Sequence, residues 1–296
     1  GAGLTEIMTY SFDSPDSYRK LKLPEDHRLR QAVTIQNPLT TDWSILRTSL
    51  FPHLLDVLQH NAQRQQPNLQ IFEIGSIFVP QELPLTRQPD ERFTLGIALM
   101  GDYPRDWGFA PRKVGFFELK GLVEAVFDAI GLSCQWEKAD HPSLHTGRSA
   151  VVKVGDTKVG VLGEVHPEVG ETWELPTRAY LAEISLEAIL PQVNRDKRVD
   201  KLPRYPAVAR DLALLAPDTI SAQDVLEVMQ SVGGELVKEI TLFDVYQGRQ
   251  IPSGYRSLAY SILYQAKDRT LTDSEVEAVE SEIITGLETR LGITRR

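Results

Sequence analysis

Two groups of residues in this 296-residue sequence have the types and spacing to do chemistry. The first is a set of metal-ligand types, His141 and His145 four apart, with Glu164 and His166 following. Imidazoles at that spacing hold zinc when they share one helical face. Here Pro142 and residues 143–147 read as a loop, and no carboxylate completes a zinc-protease helix, so no metal site is expected. Cys134 is the only cysteine, which excludes an internal disulfide and any multi-cysteine zinc site. With no basic neighbour or helix start to favour its thiolate, it reads as a small buried hydrophobe rather than a nucleophile. The sequence holds no Gly-x-Ser-x-Gly elbow, Rossmann glycine fingerprint or Walker A loop, so neither a hydrolase nor nucleotide binding through those loops is expected. His53 and His60 fall on a helix and read as surface or boundary residues.

The second group lies near the end of the chain. Successive side chains of a strand point to opposite sides of its sheet. Leu212 and Leu214 therefore share one face and Asp211, Ala213 and Leu215 the other, while Leu258, Tyr260, Ile262 and Tyr264 oppose Ser257, Ala259 and Ser261. Helices must cover the bulkier face. Strict alternation in the strand between them turns Thr241, Phe243 and Val245 inward and leaves Leu242, Asp244 and Tyr246 on the open face. Small residues around one aromatic ring form a platform on which an unpaired base can stack, with Asp244 and Ser257 able to hydrogen-bond base edges. Arg204 and Arg210 flank the first of these strands and are candidates for phosphate contacts, with Asp211 and Asp218 as alternative ion-pair partners. Arg295 and Arg296 read as a basic tail.

The elements that must position these groups follow from periodicity. Residues 50–61 and 116–131 carry apolar side chains at helical spacing, the latter stopped by Gly131. β-rich runs at 70–79, 92–100, 150–154, 158–165 and 179–184 read as strands, and Gly155-Asp156-Thr157 joins two of them as a hairpin. Hairpins argue against a parallel, doubly wound sheet and for helices packed on one side of a mostly antiparallel one. The last part reads strand 211–215, helix 221–232, strand 237–246, strand 257–264 and helix 273–291, with a further short strand at its end. Ser221 and Thr272 or Asp273 cap the helices. That order builds a split βαβ, ferredoxin-like sandwich. The fold class is α+β throughout.

Length favours two domains, and 42% hydrophobic with 25% charged residues is an ordinary globular composition. Pro191, the charged stretch 195–201, Pro203 and Pro206 read as a linker, so one domain is expected over 1–201 and a second over 202–296. No apolar run reaches membrane-spanning length and no leader-like segment opens the chain, so a cytoplasmic protein without membrane contact is expected. A net charge of −9 disfavours a nonspecific coat for nucleic acid, and residues 202–296 hold 10 Lys or Arg against 14 Asp or Glu. Any RNA contact must be local.

Three motifs occur in order near the end: Arg204-Tyr205-Pro206-Ala207-Val208-Ala209-Arg210-Asp211-Leu212, Leu242-Phe243-Asp244-Val245-Tyr246 and Asp268-Arg269-Thr270-Leu271-Thr272-Asp273. Together they closely resemble the ferredoxin-fold anticodon-binding domain of phenylalanine–tRNA synthetase beta subunits. The earlier part resembles the synthetase-like region of the same subunit through Asn37-Pro38-Leu39, Leu46-Arg47-Thr48-Ser49-Leu50, Phe72-Glu73-Ile74-Gly75 and Phe117-Glu118-Leu119-Lys120-Gly121. The resemblance spans nearly the whole chain.

The resemblance implies the C-terminal part of that subunit: a class II synthetase-like core that has lost catalysis and supports a catalytic alpha subunit, followed by a domain that binds the anticodon region of phenylalanine tRNA. It implies a heterotetramer of two alpha and two beta subunits. Ala213, Asp244, Tyr246 and Ser257 match the part of the domain that looks toward the anticodon. Class II catalysis needs an arginine on the second-motif strand to hold the ATP α-phosphate, but the matching strand here ends Ile77-Phe78-Val79-Pro80, and residues 179–190 stand where a glycine-rich third motif with arginine would be. The chain alone is therefore expected to be non-catalytic and to hold no cofactor, with ATP and magnesium bound only in the assembled enzyme. The family's upstream RNA-binding barrel, editing region and metal-binding carboxylates match nothing here. A rival reading is an assembly scaffold whose smaller sheet docks protein rather than RNA.

Overall fold

The computed structural model describes residues 2–103, 107–108, 112–193 and 203–296. The chain divides into two compact units, Gly1–Lys197 and Arg198–Arg296. The boundary expected at Lys201 lies outside the described residues.

The first unit contains β1 (Thr5–Glu6), β2 (Phe12–Asp13), α1 (Pro15–Lys20), β3 (Ile45–Leu46), α2 (Phe51–Ala62), β4 (Leu69–Val79), β5 (Asp90–Met100), α3 (Phe116–Ala129), β6 (Gln135–Lys138), β7 (Leu144–Val154), β8 (Thr157–Val165), α4 (Pro167–Thr172), β9 (Ala179–Ser185) and α5 (Leu186–Ile189). Seven strands form one mixed sheet in the order β1-β4-β5-β9-β8-β7-β6, parallel at β1-β4 and antiparallel elsewhere, while β2 and β3 pair by themselves. The expected hairpin is present, with Val154 opposite Thr157 and Gly155 at φ +55° in the two-residue turn.

Contrary to the expectation of helices packed on one side, the main helices do not share a face of this sheet. Leu50, Leu54, Leu55 and Leu58 at α2 pack with Ala98, Met100 and Leu181, whereas Leu119, Val123 and Phe127 of α3 pack with Leu95, Ile97, Leu99, Ala182 and Ile184. Neighbouring strand residues thus enter different cores, and the two helices cover opposite faces. The physical reason is visible in β5, which is apolar without a break from Leu95 to Met100 and so buries both faces.

The second unit contains β10 (Val208–Pro217), α6 (Ala222–Gly233), β11 (Val237–Tyr246), β12 (Tyr255–Tyr264), α7 (Asp273–Leu291) and β13 (Thr294–Arg295). Its sheet is antiparallel throughout, in the order β11-β12-β10-β13. Both long helices begin with reciprocal caps, Ser221 with Asp224 and Thr272 with Glu275, and α7 ends where Gly292 turns left-handed at φ +64°. Leu212, Leu214, Leu258, Tyr260, Ile262 and Tyr264 are buried against Val225, Val228 and Met229 of α6 and Val276, Ile283 and Leu287 of α7. Each such side chain contributes about 1.5–3 kcal/mol by leaving water. Both helices lie on this side, so among the described residues of the unit no helix covers the opposite face.

Candidate functional site

Register assigns the uncovered face residue by residue, because antiparallel partners point to the same side. Asp244 is opposite Ala259, which is opposite Ala213, so these three form one row across the sheet. Tyr246 is opposite Ser257, which is opposite Leu215, and forms the adjacent row. Four of the six residues singled out in the sequence therefore meet on one face: Ala213, Asp244, Tyr246 and Ser257. Among the described residues the Asp244 side chain has no hydrogen-bond or ion-pair partner, and it is exposed. Tyr246 is 39% exposed.

The strand carrying Asp244 and Tyr246 departs from strict alternation. Leu242 is opposite Tyr260 and Thr241 opposite Ser261, so Leu242 joins the core side and Thr241 the open one, the reverse of the sequence expectation. A shift of register between Leu242 and Asp244 makes Phe243 an extra residue, a β-bulge, and its ring is 56% exposed rather than inward. The bulge restores Asp244 and Tyr246 to the open face after the reversal upstream of it.

The Tyr246 ring is held at one end by the turn that follows. A Cβ on Gly248 would lie 2.3 Å from the Tyr246 hydroxyl oxygen, so only glycine lets the ring lie so close to this backbone. Arg296 lies beside the ring on the same face. Its backbone N–H donates to the Ala213 carbonyl at 2.9 Å, continuing the pairing of Thr294 with Leu215 and Arg295 with Leu214. Its guanidinium carbon is 5.6 Å from the Tyr246 ring centroid, and its nitrogens donate to Ser257 Oγ at 3.4 Å and Gln250 Oε1 at 3.3 Å. Sequence reasoning missed this residue, since a two-residue strand carries too short a pattern to be read.

The other two candidates are elsewhere. Arg210 is opposite Ile262 and in line with Leu212, on the helix-covered side, and donates to Asp273 Oδ1 at 2.8 Å at the start of α7. Its partner is neither Asp211 nor Asp218. Arg204 is exposed and precedes β10 beside Tyr205, whose carbonyl accepts from Gln265. That end of the sheet, where Val208 meets Tyr264, is seven residues from Ser257 along β12, roughly 20 Å away.

In the larger unit the motif residues build a buried ion pair. Arg47 and Glu73 are both 2% exposed; Arg47 Nη1 donates to Glu73 Oε1 at 2.9 Å and to Thr9 Oγ1 at 2.7 Å, and Nε donates to the Ser76 carbonyl at 2.8 Å. Thr9 Oγ1 in turn donates to Glu73 Oε2 at 2.7 Å. A Cβ on Gly75 would lie 2.3 Å from Arg47 Nη2, which is why glycine follows Phe72-Glu73-Ile74. Glu183 accepts from Ser49 Oγ and the Leu50 N–H, both at 2.7 Å, and burial pushes its carboxyl above the ordinary value. Val79 ends β4 with no cationic group at that position. A cavity of about 230 Å³ is lined by Tyr10, Trp43, Lys20, His53 and four aspartates, Asp13, Asp16, Asp42 and Asp56.

The metal-ligand types have separate structural tasks. His141 Nδ1 accepts from the Ser143 N–H, His145 Nδ1 from the Gly147 N–H and His166 Nδ1 from the Glu168 N–H, while Glu164 takes two bonds from Arg148 at 2.5 and 2.8 Å. Among the described residues no helix is long and apolar enough to cross a membrane. Cys134 is half-buried beside the α3 core, and burial pushes its thiol up.

Residues 1–186 match the family model described as phenylalanyl tRNA synthetase beta chain CLM domain, and residues 203–296 match the ferredoxin-fold anticodon binding domain. The chain belongs to the phenylalanine–tRNA ligase beta subunit family. A protein of that name from Moorella thermoacetica is 44% identical over 297 residues, covering 100% of this chain and 37% of its own length. Another from Symbiobacterium thermophilum is 44% identical over 289 residues, covering 95% of this chain and 32% of itself. The chain thus spans about a third of the length of these relatives. Pyrrolysyl-tRNA synthetase from Desulfitobacterium hafniense superposes with a TM-score of 0.47 at 17% identity, over 66% of this chain and 68% of that one.

Proposed function

We propose that this chain serves a phenylalanine–tRNA ligase as a non-catalytic part of its beta subunit. The larger unit is a class II synthetase-like core that supports the catalytic alpha subunit. The smaller is a ferredoxin-like split βαβ sandwich whose uncovered face binds the anticodon region of phenylalanine tRNA. The order β11-β12-β10-β13 with both helices on one side supports that sandwich. The assembly is a cytoplasmic heterotetramer of two alpha and two beta subunits.

The observation that carries the RNA reading is the pair of adjacent rows, Asp244-Ala259-Ala213 and Tyr246-Ser257-Leu215. Small side chains leave room for an unpaired base, Tyr246 offers a stacking surface, and Asp244 offers a group for base edges, as does Ser257, 4% exposed and bonded to Arg296, once that side chain moves. Arg210, paired to Asp273 on the other side, takes no part; Arg204 reaches only the far end of the sheet.

The residues present do not fit ATP. Val79 cannot neutralise a phosphate, Arg47 is buried and held by Glu73, and the aspartates of the cavity repel a triphosphate. ATP and magnesium belong to the assembled enzyme, and the chain by itself does not support phenylalanine-dependent pyrophosphate exchange. The experiment for the RNA reading is phenylalanine tRNA binding by the chain in complex with its alpha subunit. Tyr246→Ala weakens it about tenfold, the loss of one stacked base; unchanged affinity removes the face from the RNA site.

A scaffold reading draws on Asp211, Asp244 and Glu239, which give the open face a negative character. Salt separates the two readings, because RNA affinity falls as salt rises in proportion to the phosphates engaged.

A further inference from the structure

The position of Arg296 carries more than a structural tie. Its side chain touches two of the four residues on the proposed base platform, Tyr246 and Ser257, and its backbone is anchored to a third, Ala213. The guanidinium is 5.6 Å from the Tyr246 ring centroid. A flat base with a stacking contact on each side needs roughly 7 Å between ring and guanidinium, so the two must part to admit one. The bonds that hold the guanidinium there, 3.4 Å to Ser257 Oγ and 3.3 Å to Gln250 Oε1, are longer than strong hydrogen bonds. The backbone, by contrast, is fixed to β10 by the bond to Ala213 and the pairing of Arg295 and Thr294.

We propose that Arg296 is the second wall of the base site: one unpaired base of the anticodon loop enters between the Tyr246 ring and the Arg296 guanidinium and is stacked on both. The inference rests on the RNA reading of this face. The side chain gives way, its long bonds to Ser257 and Gln250 yielding while the backbone stays on β10. As it leaves Ser257 Oγ, that hydroxyl becomes free to bond the edge of the same base. The guanidinium suits the task twice over. It is planar and weakly hydrated, so it stacks on a base as an ammonium does not. It also places a fixed positive charge on a face that otherwise carries Asp211, Asp244 and Glu239.

The test is a cycle between protein and RNA. Wild type, Arg296→Ala, Arg296→Lys and Tyr246→Ala, each in complex with the alpha subunit, are titrated with phenylalanine tRNA and with the same tRNA made abasic at each anticodon position in turn. Arg296→Ala and Arg296→Lys both weaken binding of intact tRNA about tenfold. Neither weakens binding further when the base removed is the one that Tyr246→Ala also ceases to sense. Equal losses on every abasic tRNA, or full rescue by lysine, overturn the proposal and make Arg296 a structural or merely charged group. Tighter binding by Arg296→Ala overturns it too, making the residue a cap that RNA must displace. If Arg296→Ala is without effect while Tyr246→Ala weakens binding, the proposal fails and the platform stands; if neither substitution matters, the platform falls with it.

Discussion

Leu242 and Asp244 point to opposite faces of the smaller sheet although only one residue separates them: Leu242 lies opposite Tyr260 in the core, and Asp244 opposite Ala259 on the uncovered face. Residues two apart in a regular strand share a face, so Phe243 is the extra residue that makes the reversal. Without it, Leu242 and Asp244 would be neighbours in an unbroken ladder. Deleting Phe243 should therefore leave Asp244 and Tyr246 where they are, with stability within about 1 kcal/mol and tRNA binding retained. Deleting Val245 instead brings Tyr246 opposite Leu258, on the helix side, and should abolish both. Urea unfolding and tRNA titration of the two deletions check this.

The buried pair Arg47–Glu73 predicts a sharp asymmetry. Glu73→Leu or Arg47→Met alone leaves one charge buried without its partner and should cost about 3–5 kcal/mol. Arg47→Met with Glu73→Leu should cost less than the sum. Gly75→Ala should be as severe as either single change, because the added carbon meets a guanidinium that is walled in. Urea midpoints of the four variants measure this.

Burial among Phe51 and His27 pulls the His141 imidazole down to about 4, with the neighbouring charge of His27 acting the same way and Asp140 opposing. An unfolded histidine takes up its proton near pH 6.5, so between there and about 4 the unfolded chain binds a proton that the folded one does not. The stabilisation from neutral His141 is complete above pH 6.5 and drains as pH falls, by up to about 3 kcal/mol. The advantage of wild type over His141→Asn should accordingly shrink between pH 7 and pH 4.5 in urea unfolding. A gap that does not change with pH contradicts the assignment.

Arg210→Ala should lower stability by less than about 1 kcal/mol, as expected for a partly exposed ion pair, and should leave tRNA affinity and its salt dependence unchanged. A phosphate contact would instead weaken binding and flatten the salt dependence.

The helices of the smaller unit were legible because their boundaries had local causes, whereas β10 runs from Val208 to Pro217 where only 211–215 was expected. Thr272 with Glu275 starts α7 and Gly292 ends it; Gly233 and Gly234 close α6 before β11. Three features were not, and each depends on groups distant in sequence. The bulge at Phe243 has no sign in an apolar run where every residue suits a strand. The partner of Arg210 is 63 residues away, so nearby Asp211 and Asp218 were the natural candidates. Arg296 reaches the platform only because β13 adds beside β10. In the larger unit the unbroken apolar run of β5 did signal that both faces are covered, which hairpin logic alone overlooked.

Stacking of an anticodon base on Tyr246, as proposed, is open to a photochemical measurement. A photoreactive benzophenone side chain is placed at position 246 in the chain bound to the alpha subunit and phenylalanine tRNA, and the irradiated RNA is mapped nucleotide by nucleotide. A base stacked on this position gives a crosslink confined to the anticodon loop. A crosslink mapped to the acceptor stem, or one formed only with protein, would contradict it.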